Sequence, residues 1–145
     1  MCSREHLEKE TGDFFDLHWG EEAIPAWNFS WNWCGLIPNH DLDGIYALFS
    51  GGELVYVGLG AGRGHGTHKN HGLRKRLLAH VLELTPADSD AHYILEPRWR
   101  NAGVDQIATL GFPSESSYLA YALEHYLITK LDPPENHRNH APRIH

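Results

Sequence analysis

Two apolar runs separated by a glycine pair, GIYALFSGGELVYVG (44–58), constrain the fold of this chain more than any other stretch. Runs rich in Ile, Tyr, Leu and Val on either side of Gly51-Gly52 read as a β-hairpin. The question it raises is which way Tyr46 and Tyr56 point. With Gly51-Gly52 as a two-residue turn, Tyr46 faces Val57 and Tyr56 points to the opposite side of the sheet. With Ser50-Gly51-Gly52 as a three-residue loop and Gly52 in the left-handed conformation, Tyr46 lies directly opposite Tyr56. A slip of one residue reverses every side chain. Packing is the ordinary use of a phenol in a strand; a shared site requires the second register.

At 145 residues the chain reads as one domain with enough length for an apolar core. Cys2 and Cys34 have neither metal-ligand nor redox spacing, so reduced thiols in a cytoplasmic protein are expected. The sequence shows no signal-like N-terminus and no apolar run of membrane-spanning length, which argues against a membrane partner. The net charge of −7 disfavours a nucleic-acid partner until the charge is located. Residues 1–43 hold nine acids against two bases, whereas residues 44–145 are balanced. Within that balanced part, the segment from Arg63 to His80 carries Arg63, Lys69, Arg74, Lys75 and Arg76 and no acid. A phosphate ligand responds to such a local field more than to the total, although a solvated loop and helix face is the plainer use.

Residues 1–42 form an acidic arm that contains four of the five tryptophans, too apolar to be a disordered tail. A short helix is expected near 3–11, and WNFSWNW alternates aromatic and polar residues with the period of a strand. These aromatics suit core packing better than a base-stacking platform. After the hairpin, LGAGRGHGTHKNHG (59–72) is a glycine- and histidine-rich loop. LRKRLLAHVLEL then carries a helical stripe, Leu73, Leu77, Val81 and Leu84, with Arg76 and His80 at i, i+4 on another face. AHYILEP reads as a third strand and Val104–Leu110 as a weaker one. SYLAYALEHYLITKL reads as a final helix, stopped by Asp132-Pro133-Pro134 because proline lacks the donor and clashes. The tail ENHRNHAPRIH is polar and basic.

Glu124 is the odd residue of that last helix. Its neighbours at helical spacing are Ala120, Tyr121, Leu127 and Ile128, so it should be mostly buried, and a carboxylate there is costly unless paired or metal-bound. A pairing with arginine at the helix edge is the alternative use. His65, His68 and His71 at spacing three could bind zinc. No cysteine joins them, and their glycines fit a loop that touches DNA beside Arg63 and Lys69.

In order, the chain presents Gly-Ile-Tyr, Tyr-Val-Gly, an arginine on a helix, a glutamate on a later helix, and then PPEN. This order resembles the GIY-YIG nuclease superfamily, nearest to its restriction-endonuclease-like branch, over residues 43–137. By that resemblance Tyr46 and Tyr56 match the two signature tyrosines, Arg76 the helix arginine, Glu124 the metal-binding glutamate and Asn136 the asparagine after the terminal helix. His80 matches the histidine of the restriction branch. Arg74 competes with Arg76, since the preceding loop is long, but its i+4 neighbour is Leu78, and only Arg76 pairs with a histidine.

The resemblance implies an α+β fold, a small mainly antiparallel three-stranded sheet flanked by helices in residues 43–145, behind the aromatic arm. It implies a divalent-metal-dependent endonuclease that hydrolyses DNA phosphodiester bonds with one Mg2+ or Mn2+ on Glu124. Tyr46 would act as base on the water or orient it, with His80 to take the proton. Arg76 would clamp the phosphate, Tyr56 would hold phosphate or water, and Asn136 would fix neighbouring groups. Arg63, Lys69, Arg74 and Lys75 are the expected DNA contacts, and a homodimer is compatible with cutting both strands. A catalytically inactive DNA- or partner-binding module, or a toxin or defence nuclease masked by its acidic arm, are the alternatives.

Overall fold

The computed structural model describes residues 2–20, 23–61, 72–85 and 92–140, the side chains of 138–140 excepted. Its centre is β1 (Gly44–Ser50), which pairs antiparallel with β2 (Glu53–Gly60) on one side and β5 (Gln106–Gly111) on the other. Because β1 lies between two strands and two packed layers, nearly every residue of GIYALF is buried, which explains why the run is continuously apolar. The fold is α+β with a three-stranded antiparallel sheet flanked by helices, as the resemblance implied.

The hairpin resolves the tyrosine question by a third route. Ser50 pairs with Glu53, and Gly51 and Gly52 have φ of 56° and 85°, so the turn has two residues, both in the positive-φ conformation that glycine supplies. That turn was expected to send the phenols to opposite faces. Instead the register shifts between Leu48 and Phe49, where Val55 is the extra residue of a β-bulge. Leu48 therefore pairs with Tyr56, and Tyr46 with Gly58. Val55 and Tyr56 both turn toward the face of Tyr46 and Leu48, while Leu54 and Val57 turn to the other. The phenols share a face because of the bulge.

Each face of the sheet carries a core. On one face Ile45, Ala47, Phe49, Val57, Ala108 and Leu110 pack against α1 (Arg4–His18) and α4 (Tyr118–Leu131). On the other, Tyr46, Leu48, Val55 and Ile107 pack against α2 (Leu73–His80), the two-stranded ribbon β3 (Leu82–Leu84) and β4 (Tyr93–Leu95), and the short α3 (Pro97–Asn101). The N-terminal aromatics divide between these cores: Phe14 and Phe15 enter the first, Trp31 the second.

Several local expectations are corrected. The first helix runs to His18 rather than ending near residue 11, because Leu7, Phe14 and Phe15 keep a buried stripe beyond Gly12. WNFSWNW is not a strand: Asn28 makes a single bridge to Thr109, Cys34 one to His92, and Trp33 has a left-handed φ of 72° that breaks the alternation. The helix expected over 73–84 stops at His80, and Leu82–Leu84 pairs with Tyr93–Leu95 instead. The AHYILEP strand lies in that ribbon, and the weaker segment supplies the third strand of the main sheet. Asp132 takes the left-handed conformation that ends α4, and Pro134 then opens a further helix, α5 (Pro134–His140), in the polar segment beyond the expected final helix. No helix among the described residues is long and apolar enough to cross a membrane.

Candidate active site

A cleft of about 660 Å3 lies beside the edge strand β2, where the two helical layers approach each other around the sheet. Tyr46, Tyr56, Arg76, His80, Glu124 and Asn136 all line it. Residues separated by up to ninety positions in sequence, proposed together from their order alone, are thus neighbours in space.

β1 and β2 supply the phenols. Tyr46 is 3 % exposed and pairs across the strands with Gly58, and a Cβ at Gly58 would overlap its ring. The glycine of Tyr-Val-Gly is therefore a spatial requirement: its missing side chain lets the Tyr46 ring lie across β2 toward the strand edge. The rings of Tyr46 and Tyr56 are 6.0 Å apart with 34° between their planes, and the side chains are hydrogen-bonded. Burial pushes the Tyr46 phenol well above its ordinary pKa, the charges of Tyr56 and Glu124 push the same way, and the Arg76 guanidinium opposes them. At neutral pH Tyr46 is a protonated donor.

α2 supplies Arg76 and His80, both exposed along the wall of the cleft, with Leu73 and Leu77 anchoring the opposite side of the helix in the core. Arg74 and Lys75 are also exposed on α2 but do not line the cleft, so the geometry separates Arg76 from its sequence competitor. Arg63 and Lys69, with His65, His68 and His71, lie outside the described residues.

α4 supplies Glu124. Ala120, Leu123 and Leu127 bury one stripe of this helix, and Glu124, His125 and Ile128 fall on the adjoining stripe that faces the cleft. Glu124 is mostly buried, as its apolar helical neighbours implied, and reaches the cleft with the part that stays open. Its carboxyl is held above the usual carboxylate range by burial, offset by the positive charges of Arg76 and His125. Among the described residues, no group of three or more acids, histidines and cysteines gathers to make a metal cage. A lone carboxylate at an open cleft fits a hard cation that keeps most of its water, as Mg2+ does, and does not fit zinc.

Asn136 is placed differently from the others. It is 4 % exposed on α5, where its Oδ1 accepts from the Val57 N–H and its Nδ2 donates to the Val57 carbonyl, both at 2.8 Å. The amide thus acts as a single residue of an additional strand on the β2 edge. Val57 lies between Tyr56 and Gly58, so this clip positions the phenol segment; its polar atoms are already engaged.

The sequence reading missed the third wall. α3 places Arg98 and Trp99 in the cleft, and α4 adds His125. Trp99 is 1 % exposed, its ring centroid is 4.8 Å from that of Tyr56, and its Nε1 donates to the His80 carbonyl at 2.9 Å. It joins the second tyrosine to the end of α2. The only local signal was PRWRN, a proline, an aromatic and two cations in a segment too short for a helical period. No protein-family model, curated protein or solved structure matches the chain.

Proposed function

We propose that this protein is a divalent-metal-dependent nuclease of the GIY-YIG type that hydrolyses phosphodiester bonds in DNA. The observation that carries the reading is the meeting of two phenols, a guanidinium, an imidazole and a lone carboxylate in one cleft. Hydrolysis requires a deprotonated water, neutralisation of charge on the phosphoryl oxygens and relief of the leaving oxygen. Arg76 has the fork geometry to hold two non-bridging oxygens. Glu124 would hold the cation, which supplies Lewis-acid stabilisation of the phosphate and the leaving oxygen when bound.

Tyr46 is raised too far by burial to take a proton from water unaided, so its part is to donate a hydrogen bond that orients the water or the phosphate. Histidine is the commonest general base, and His80, on the α2 wall with Arg76, is the group that accepts the proton of the attacking water. Tyr56 completes the donor set, and Asn136 keeps the strand beneath it in place.

Incubation of supercoiled plasmid with the protein and Mg2+ at low ionic strength tests the proposal. Nicking or linearisation is expected, and Glu124→Ala should lower it by about 10²–10³ while DNA binding persists. A wild-type protein that binds DNA without cutting it under Mg2+ or Mn2+ would establish the binding-module alternative instead.

A further inference from the structure

Arg98 stands on the wall of the cleft formed by α3, whereas Arg76 stands on α2. Its side chain is 42 % exposed, yet it is not loose. The guanidinium lies 4.0 Å from the centroid of the buried Trp99 ring and 5.6 Å from that of Tyr56. Its Nη2 donates to the Glu135 carbonyl at 3.3 Å, and the Glu135 carboxylate is 3.9 Å away. Stacking on an indole and a hydrogen bond to a helix backbone fix the plane of the guanidinium and reduce the entropy lost when it takes a ligand. Trp99 is itself fastened to the carbonyl of His80, so the platform moves with the catalytic wall. The carboxylate contact lies at the outer limit of an ion pair, whereas a phosphate can offer the guanidinium two closer oxygens.

We propose that Arg98 is a second phosphate clamp, which grips a backbone phosphate next to the one held by Arg76. The inference rests on the nuclease reading and deepens it: a site with two guanidinium walls takes a polynucleotide strand with consecutive phosphates, not an isolated phosphodiester. One wall holds the reacting phosphate, the other sets the register of the strand along the cleft.

The test measures binding, so it does not depend on cleavage. Fluorescence anisotropy with a short labelled DNA duplex is recorded over a range of salt, without divalent metal, for wild type, Arg98→Ala and Arg98→Lys. Arg98→Ala is expected to weaken binding about tenfold for any sequence and to lower the slope of log K against log salt by about 0.9, the value for one phosphate contact. Arg98→Lys keeps the charge and should restore the slope. The assignment is overturned by a wild-type slope in Arg98→Ala, by Arg98→Lys losing as much slope as Arg98→Ala, or by a wild-type protein that does not bind the duplex. If the slope changes as expected but wild type never cuts with Mg2+, Arg98 remains a phosphate clamp and the nuclease reading alone fails.

Discussion

The proton held by Glu124 connects chemistry to stability at the scale of one residue. Burial raises its folded pKa above the usual carboxylate value of 4.5, so the native state binds the proton more tightly than the unfolded chain. Its contribution to stability is then present below the unfolded pKa and is lost as pH rises through the folded one. At neutral pH the ionised carboxylate is a cost to the fold. Glu124→Gln should therefore unfold at the same or a higher temperature than wild type at pH 7 while cleavage falls by about 10²–10³. A clear drop in the melting temperature of Glu124→Gln would show that the group is structural. Gly58 gives a second residue-scale case. Its Cβ would overlap the Tyr46 ring, so Gly58→Ala should cost about 1–3 kcal/mol and displace the phenol. Differential scanning calorimetry and the plasmid assay should both register the change, and a variant as active as wild type would break the link between Gly58 and the Tyr46 pose.

Elements meet at the β2 edge, and α5 is what closes it. A strand edge next to a cleft leaves N–H and C=O groups facing neither water nor a partner strand. Asn136 answers both groups of Val57, which is fully buried. Asn136→Ala removes a donor and an acceptor together and leaves two buried backbone groups unsatisfied, an expected loss of about 2–4 kcal/mol in urea unfolding. Asn136→Asp keeps the acceptor for the Val57 N–H but sets a carboxylate against the Val57 carbonyl, so it should recover only part of that loss. Equal stability of Asn136→Ala and wild type would remove the clip from the account. The bulge at Val55 and the clip at Val57 are two residues apart on the same strand, and between them they determine where Tyr56 points.

For the whole molecule, the N-terminal segment belongs to the core. Leu7, Phe14 and Phe15 are buried among Leu123, Leu127 and Phe112, on the face of the sheet away from Tyr46. At about 1.5–3 kcal/mol for each large apolar side chain, these three contribute about 5–9 kcal/mol, close to the total stability of an ordinary domain. A chain truncated before Gly20 should lose its cooperative melting transition, with dispersed NMR amide signals collapsing. An intact, melting-competent truncated domain would contradict this. The same packing rules out truncation as a way to unmask activity, so any shielding by the acidic arm has to be probed by neutralising exposed acids such as Glu5 and Glu8.

Local patterns in the chain were enough to place the hairpin, the Arg76–His80 pair one turn apart on a helix, the apolar helical run around Glu124, and the stop at Asp132. Each depends on turn chemistry or helical period, which act over a few residues. Three-dimensional packing decided the rest. Both phenols face one way because Val55 bulges to fill the second core. Arg76, already favoured over Arg74 by its i+4 histidine, is the one of the two that lines the cleft. Asn136 is spent on Val57 because α5 docks on the exposed strand edge. Arg98 and Trp99 enter through a helix too short to leave a period. These outcomes depend on what lies across the sheet, tens of residues away in the chain, where burial and unsatisfied backbone groups choose among conformations that local sequence leaves nearly equal in energy.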